Sequence, residues 1–249
     1  MSNMEPGTGD WLFDLGNSRL KLAPLLAGGR VGEVEARSHD QPDWMEALPA
    51  GQAAWVCDVA SGALSRQLRD ALSQRFERVV IARSSALFGG VRVAYPHPER
   101  LGVDRLLAMR GALATGAGPW LVVGVGTALT IDLLAADGRH MGGRIAPSPD
   151  LMRVSLRARV SRLPASGGCY AEFADDTADA LASGCEGAAI ALVERSLAQA
   201  GVLLGEEPAL LLHGGGAGAL ASHLVAATVS PALVMQGLAA WANAGERPA

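Results

Sequence analysis

The sequence predicts an α/β protein of two lobes, each built around a mixed β-sheet. Three observations support this fold class. The 249 residues suit two lobes of roughly 100–150 residues each. Short apolar runs, typical of strands, alternate with amphipathic helical stretches. A pattern of glycine turns near the N-terminus recurs in the second half of the chain, where Gly126, Gly138 and Gly142 repeat the spacing of Gly16, Gly28 and Gly32.

The first lobe opens with three predicted strands over 11–14, 19–26 and 31–36. They are separated by Gly16-Asn17-Ser18 and by Gly28-Gly29, residues that favour tight turns. A further apolar run over 53–60 predicts another strand.

Leu64, Leu68, Leu72 and Phe76 recur every four residues and predict one amphipathic helix. A strand over 79–82, a Pro-rich loop over 95–101 and a helix from about 104 to 113 follow. The stretch 115–119 contains two glycines and a proline and is the predicted lobe boundary. The lobes are therefore predicted to span 1–117 and 118–249.

The second lobe begins with strands over 121–125 and on to 134, followed by an Asp137-Gly138 hairpin turn. Its further predicted elements are helices over 151–162 and 178–200, a strand over 210–212, and a final strand and helix. The repeated strands and glycine turns predict a duplicated three-strand meander. Two such lobes, each with a phosphate-sized turn, would hold one nucleotide from both sides.

Composition excludes several classes of protein. A hydrophobic content of 49% and a mean hydropathy of +0.22 exclude a disordered chain. The net charge of -4 and the pI of about 5.7 argue against a nucleic-acid partner. The stretch 121–136 and the C-terminal stretch, which contains His223, Ser230 and Pro231, carry polar residues, so neither is expected to span a membrane. Three cysteines without paired spacing, and a start without a signal pattern, predict a cytoplasmic protein.

The first candidate site is the segment 14–21. Gly16 allows backbone to approach a phosphate closely, and Asn17 and Ser18 offer hydrogen-bond donors. Asp14, at a strand end, can hold Mg²⁺ through oxygen, and Lys21 can neutralise phosphate charge. The alternative is an ordinary hairpin turn. The Walker A pattern is absent.

Two further candidate sites combine glycine with polar residues. Gly126 and Thr127 form a turn that offers backbone and hydroxyl groups to phosphate, or one that merely closes a hairpin. Asp104 can accept a proton from a substrate hydroxyl, and Arg105 can clamp a substrate carboxylate. The alternative is that Asp104 caps a helix and Arg105 is solvated.

Two glycine motifs complete the set. The segment 142–147 (GGRIAP) predicts a turn leaving a strand ahead of a helix. The segment 213–217 (HGGGA) follows a buried strand, and its glycines would let an adenine ring lie against backbone. A flexible strand-to-helix loop is the alternative.

Together these motifs resemble those of the type III pantothenate kinases. That family shows, in order, DxGNT/SxxK, GxDR, GTAxT, GGxIxP and a late glycine motif, and this chain carries all five over nearly its whole length. The ordered set is far more specific than any single motif. The resemblance implies a two-lobed actin/hexokinase-like fold, a homodimer, and Mg²⁺-assisted transfer of the ATP γ-phosphoryl group to pantothenate, the first step of coenzyme A biosynthesis.

The resemblance also implies site roles. ATP would be bound by the two glycine turns and their neighbours: Asp14, Gly16, Asn17, Ser18, Lys21, Gly126 and Thr127. Pantothenate would be bound by a second set: Tyr95, Gly102, Val103, Asp104, Arg105 and Thr177. Asp104 would be the catalytic proton acceptor, and Asp14 would hold the metal.

The chain departs from the family pattern at two positions. The family usually has an acid two residues before the glycine of GTA, where it holds a monovalent cation, and this chain has Gly124. A K⁺ or NH₄⁺ site is therefore either lacking or built differently. The family's GGxIxPG ends here in Pro147-Ser148, which is expected to change only a turn.

Two other functions remain open at this stage. One is another kinase or phosphatase of the same fold with a different acceptor, such as another carboxylate. The Asp104-Arg105 pair disfavours it, because arginine implies an acidic acceptor. The other is a non-catalytic accessory factor for transcription, since the family includes members named in that way. The presence of Asp14, Asp104, Arg105 and Thr127 argues against loss of catalysis.

Overall fold

The computed structural model describes residues 9–60, 62–116 and 118–244. The chain divides into two compact units: unit 1 combines Met1–Ala117 with Ala232–Ala249, and unit 2 is Gly118–Pro231. The second lobe was predicted to extend to residue 249, and here the structure differs, because the final helix packs within unit 1. Residues 1–8, 61, 117 and 245–249 of the predicted lobes lie outside the described residues.

The described residues of unit 1 form a sheet, a small hairpin and three α-helices. Its strands are β1 (Trp11–Leu15), β2 (Arg19–Leu26), β3 (Arg30–Val31), β4 (Glu35–Ser38), β5 (Gly51–Asp58), β6 (Phe76–Ile81), β7 (Leu87–Phe88) and β8 (Val91–Arg92). Its helices are α1 (Gly62–Ser73), α2 (Val103–Thr115) and α6 (Leu233–Asn243), with a 3₁₀ turn at Pro98–Arg100.

The sheet of unit 1 is mixed, as predicted. Its order is β3-β2-β1-β5-β6, and β4 also pairs with β2. Strand β1 is antiparallel to β2 and parallel to β5, and β5 is parallel to β6. Alternate residues of β1 face opposite sides of this sheet, so Asp14 lies on the side away from Phe13.

Helix α1 covers the Phe13 side of the sheet. Leu68 and Leu72 are buried there, and the ring of Phe13 meets the edge of Phe76 at a centroid distance of 5.6 Å. The prediction that Phe76 continues the helical stripe was wrong, because α1 ends at Ser73 and Phe76 begins β6. The residue reaches the same core from a strand.

Helices α2 and α6 pack closely against one another. Gly111 of α2 lies against the carbonyl of Leu233, and Gly237 of α6 lies against that of Leu107, so a Cβ at either glycine would collide with backbone. Both helices also contact β5, and α6 contacts β1. These packing contacts explain why α6 belongs to unit 1.

Unit 2 contains a five-stranded sheet and three helices. Its strands are β9 (Trp120–Val125), β10 (Ala128–Leu134), β11 (His140–Pro147), β12 (Ala209–His213) and β13 (Thr228–Val229). Its helices are α3 (Pro149–Arg159), α4 (Thr177–Leu204) and α5 (Ala217–Ala221).

Strand order confirms the predicted repeat, except that the predicted strand over 31–36 is two short strands, β3 and β4, which both pair with β2. The sheet of unit 2 runs β11-β10-β9-β12-β13. Strand β9 is antiparallel to β10 and parallel to β12, just as β1 is antiparallel to β2 and parallel to β5. The hairpin predicted at Asp137-Gly138 joins β10 to β11.

Helix α4 has well-defined ends and one buried face. The Asp176 carboxylate caps its first turn, and Gly205 ends it with a left-handed φ of 76°, which glycine adopts without strain. Ala189, Ile190 and Val193 lie in the core cluster of unit 2. Among the described residues, α4 is the one helix long and apolar enough to cross a membrane. That observation is weak support for a membrane span, because core helices share the same composition.

Candidate active site

The turn between β1 and β2 is a tight hairpin that exposes polar groups. The Gly16 amide donates a hydrogen bond to the carbonyl oxygen of Arg19, at 3.0 Å. Asn17 and Ser18 are exposed at its tip. These residues were predicted to bind ATP, and their amides and side chains are accessible to a phosphate group.

His39, which no sequence pattern indicated, supports this turn. Its amide donates to the carbonyl of Ser18 at 3.1 Å, and its Nδ1 lies 3.3 Å from the carbonyl oxygen of Asn17. The ring also packs on Trp44, at a centroid distance of 4.7 Å. No sequence motif marks His39, since its role depends on β4 pairing with β2.

Asp14 and Lys21 face one another across β1 and β2. Their carboxylate Oδ2 and ammonium Nζ are 3.8 Å apart, and Asp14 is only 8% exposed. Burial raises the pKa of the Asp14 carboxyl above 3.8, and the charge of Asp104 raises it further, while Lys21 opposes the shift. Two carboxylates and one ammonium group therefore interact at this edge of the sheet.

Cys57 is a second contact that the sequence did not reveal. It pairs with Asp14 on the neighbouring strand β5 and is fully buried. Burial raises the pKa of its thiol well above 9.0, and the nearby Asp14 charge adds to that shift. The thiol therefore stays protonated at neutral pH and forms a hydrogen bond with the Asp14 carboxylate.

The start of α2 positions Asp104. Gly102, not Asp104, is the N-cap residue, so the alternative that Asp104 caps the helix is wrong. Asp104 lies in the first turn, where the helix dipole favours a carboxylate. Its Oδ1 folds back toward Gly102 and lies 2.6 Å from where a Cβ of that residue would stand. Glycine at 102 therefore leaves room for this carboxylate.

Arg105 is buried rather than solvated, so that alternative is also wrong. It is 6% exposed, and its Nη1 donates to the Tyr95 hydroxyl at 3.3 Å. Tyr95 comes from the loop before α2. The structure thus brings together two residues that were predicted separately for the pantothenate site, and Val103 lies buried beside them in the chain.

Unit 2 contains the second predicted glycine turn. The Gly126 amide donates to the Ala128 carbonyl at 3.0 Å, and both Gly126 and Thr127 are exposed. The Ser148 hydroxyl donates to the Thr127 carbonyl at 3.1 Å, and the same oxygen accepts the Leu151 amide as N-cap of α3. Ser148 was expected to change only a turn, but it also joins this turn to α3.

Two other predicted sites lie elsewhere in unit 2. Thr177 is exposed at the first residue of α4, on a different element from the Gly126 turn.

The segment 213–217 is held in place rather than flexible, because the Gly216 amide donates to the Val125 carbonyl at 3.0 Å. Gly214 has a φ of +94°, a conformation that favours glycine.

The residues of unit 1 fit a divalent cation shared with phosphates. Among residues 9–60, 62–116 and 118–244 there is no cluster of three or more His, Cys, Asp or Glu that could hold a metal alone. Mg²⁺ commonly takes one or two carboxylates plus substrate phosphates, and carboxylate oxygens suit it. Asp14, with Asp104 nearby, offers such a set.

Solved structures define the fold class. A putative Baf family transcriptional activator from Campylobacter jejuni superposes with a TM-score of 0.62 at 20% identity, covering 94% of this chain and 98% of that one. A putative 2-dehydro-3-deoxygalactonokinase from Sinorhizobium meliloti gives 0.57 at 19% identity, over 94% and 98%. At such identities the likeness concerns fold alone, and the fold is the actin/hexokinase-like fold of the sugar kinases.

Sequence relatives define the family. The family model for type III pantothenate kinase matches residues 11–199. A type III pantothenate kinase of Stenotrophomonas maltophilia (strain K279a) is 57% identical, over 94% of this chain and 97% of the relative. One of Xanthomonas axonopodis pv. citri is 54% identical, over 96% and 99%. The chain belongs to the type III pantothenate kinase family, which confirms the resemblance seen in its motifs.

Proposed function

We propose that this protein transfers the γ-phosphoryl group of ATP to the primary hydroxyl of pantothenate, giving 4′-phosphopantothenate for coenzyme A synthesis. The observation that carries the proposal is the arrangement in unit 1, where Asp104 is close enough to Asp14 to raise its pKa while Lys21 lies 3.8 Å from Asp14. Phosphoryl transfer needs a group for the acceptor proton, a metal ligand and a cation near the phosphates.

Each residue of unit 1 has a distinct role in this proposal. Asp104, in the first turn of α2, orients the pantothenate hydroxyl and accepts its proton. Arg105, steadied by Tyr95, binds the pantothenate carboxylate through its planar fork. Lys21 and the turn from Gly16 to Ser18 bind phosphate oxygens.

Asp14 is proposed to hold Mg²⁺, which would neutralise phosphate charge as the phosphoryl group moves. Cys57 keeps the Asp14 carboxylate oriented by its hydrogen bond. In unit 2, Gly126 and Thr127 are proposed to contact ATP phosphates, and Thr177 to contact pantothenate. No covalent enzyme intermediate is required.

A kinase assay with matched acceptors tests the function. Purified protein is incubated with ATP, Mg²⁺ and either pantothenate or pantothenol, which has the same hydroxyl but an alcohol in place of the carboxylate. We expect 4′-phosphopantothenate, identified by mass spectrometry, and much slower turnover of pantothenol because Arg105 loses its anionic partner. Excess chelator should abolish activity.

The same assay separates the alternatives. Equal rates on pantothenol, or faster turnover of another carboxylic acid, would favour a kinase with a different acceptor. ATP binding without turnover of any acceptor would favour the accessory-factor role. The family assignment and the paired Arg105 and Tyr95 support the pantothenate reaction over both.

We further propose a cytoplasmic homodimer, with small molecules rather than nucleic acid or membrane as partners. Large apolar side chains are exposed beside α4 and on α3, where Phe173 is 99% exposed and Val154 63%. A second copy would cover such a surface. Light scattering on the purified protein should give twice the 25.6 kDa chain mass; Phe173→Ser should shift that value toward the monomer.

A further inference from the structure

A row of three residues crosses the sheet of unit 2 just before the Gly126 turn. Thr130 of β10 pairs with Gly124 of β9, and Gly124 pairs with His213 of β12. Residues directly opposite one another in a sheet project to the same side. The side chains of Thr130 and His213 therefore lie on the same face of the sheet, above Gly124, and α4 covers the other face.

The imidazole of His213 occupies the space above Gly124. A Cβ built on Gly124 would lie 2.9 Å from His213 Nε2, 3.0 Å from its Cε1 and 2.6 Å from Thr130 Oγ1. Real Cβ atoms do not approach other atoms so closely. The backbone of Gly124 does not require glycine, because its φ is not positive. A side chain at residue 124 would therefore displace the His213 ring or the Thr130 hydroxyl.

The backbone on either side of His213 is held by hydrogen bonds. His213 ends β12 and is followed by the glycine segment that hydrogen-bonds to Val125 at the end of β9. The Leu212 carbonyl accepts the Ser230 amide at 2.8 Å, which ties β12 to the segment after β13. The carboxyl ends of parallel strands β9 and β12 meet at one sheet edge, where ligands of open α/β sheets commonly bind.

The repeat provides an internal reference for this position. In unit 1 the corresponding middle-strand residue is Asp14, and its neighbour on the parallel strand is Cys57. In unit 2 the middle strand has Gly124, and the neighbour is His213. In unit 1 the ionisable group is therefore a carboxylate on the middle strand, whereas in unit 2 it is an imidazole on the adjacent strand. An imidazole N–H can donate to an anion, which an ionised carboxylate cannot do.

We propose that His213 is an ATP-binding residue, which donates a hydrogen bond from its imidazole to a phosphate oxygen at the β9–β10 turn, in the space that a residue-124 side chain would otherwise take. The inference rests on the proposed use of ATP. It adds a side-chain contact to the segment 213–217, where the sequence predicted only that the glycine backbone contacts adenine.

Titrations without pantothenate test the proposal by binding alone. Affinities for ATP, ADP and adenosine are measured by calorimetry for the wild type, His213→Ala and His213→Gln. A hydrogen bond to a charged group corresponds to roughly a tenfold to hundredfold loss in affinity, which we expect for ATP and ADP with His213→Ala. Adenosine affinity should be unchanged, and His213→Gln, which keeps an N–H donor, should recover part of the loss.

A glycine substitution tests the geometry without removing the imidazole. Gly124→Ala should displace the ring and weaken ATP binding. Gly201→Ala on α4, where a Cβ would lie 3.9 Å from the Glu206 carbonyl oxygen, should leave ATP binding unchanged. If Gly124→Ala fails to fold, as judged by its melting curve, the two His213 variants alone test whether His213 binds ATP.

Wild-type ATP affinity in a folded His213→Ala would overturn the proposal. An equal loss for adenosine would also overturn it, because the contact would then be to the nucleoside. Dependence of ATP binding on His213 in a protein that phosphorylates no pantothenate would instead refute the proposed function and leave this inference standing.

Discussion

The two glycine turns of this protein have the same strand framework but different chemistry. In unit 1, the turn after β1 follows a buried carboxylate, Asp14, with Cys57 beside it. In unit 2, the turn after β9 follows Gly124, with His213 beside it. The second turn is also shorter by one residue, since Gly126 bonds to Ala128 whereas Gly16 bonds to Arg19. The two copies thus share their strand pairing but differ in turn length and in polar groups.

The two copies offer different functional groups. Acidic groups that can bind metal or accept a proton lie in unit 1, at Asp14 and Asp104. The second turn offers a hydroxyl and an imidazole, at Thr127 and His213. We therefore expect substitutions near the first turn to affect the chemical step most, and those near the second to affect ATP affinity or stability.

The largest effect is expected from Asp104→Asn. This change keeps the size of the side chain but removes the proton acceptor, so turnover should fall by roughly 10²–10⁴. The melting temperature should change little, because Gly102 is the cap residue. Asp150→Asn is a matched control, since Asp150 is an exposed first-turn aspartate of α3. Turnover near that of the wild type in Asp104→Asn would remove Asp104 from the catalytic role.

Asp14→Asn should lower activity and raise stability. Loss of the proposed metal ligand should reduce turnover by about 10² or more. The folded-state pKa of Asp14 is raised above 3.8, so its ionised form costs stability once the pH exceeds that raised value, and the cost vanishes below 3.8. In chelator, the variant should melt above the wild type at pH 7, and the gap should close near pH 4. A lower melting temperature at pH 7 would contradict this.

Arg105→Lys tests the carboxylate site. A point charge would replace the planar fork that Tyr95 supports, so the Michaelis constant for pantothenate should rise by roughly tenfold or more while ATP affinity stays constant. Arg66→Lys on the exposed face of α1 provides the control. An unchanged Michaelis constant would exclude Arg105 from substrate binding.

Ser148→Ala tests how the second turn is supported. It removes the N-cap of α3 and the hydrogen bond to the Thr127 carbonyl, and a lost cap costs about 1 kcal/mol. For a chain of this size that corresponds to a fall in melting temperature of about 2–4 °C. Ser73→Ala, at an exposed hydroxyl at the end of α1, should melt like the wild type. Equal melting curves for both variants would show that Ser148 contributes little.

The smallest expected effect concerns monovalent cations. No carboxylate stands at residue 124, and the His213 ring fills the adjacent space, so rates in potassium and sodium buffers should match. Ammonium should likewise have no effect. A large stimulation by potassium would show that other oxygens form a cation site, and the contrast between the two turns would then be weaker.

The sequence was sufficient to predict those elements that depend on residues close together in the chain. Turn residues and apolar runs correctly identified the duplicated meander, because hairpins depend on neighbours in the chain. The helical stripe was extended too far, to Phe76, since a four-residue period does not show where a helix ends. Alpha-helix α6 was placed with the wrong unit because apolar helices do not reveal which sheet they cover.

Parts of the site were hidden for a similar reason. Asp14, Asp104 and Arg105 stand in motifs, so the sequence alone could propose them. Cys57 lies beside Asp14 and His213 beside Gly124 through parallel strands distant in the chain, and pairing of that kind depends on the tertiary fold. The role of Ser148 in supporting the second turn was not predicted, because only the structure shows the carbonyl that it contacts.

The placement of α6 has a consequence for biosynthesis. The ribosome translates all of unit 2 before α6, so unit 1 lacks its packing partner for α2 while unit 2 is being made. Unit 2 is one continuous segment, and domains generally fold as units during synthesis. We therefore expect the later-translated unit to acquire its native structure first, and unit 1 to close only when α6 emerges.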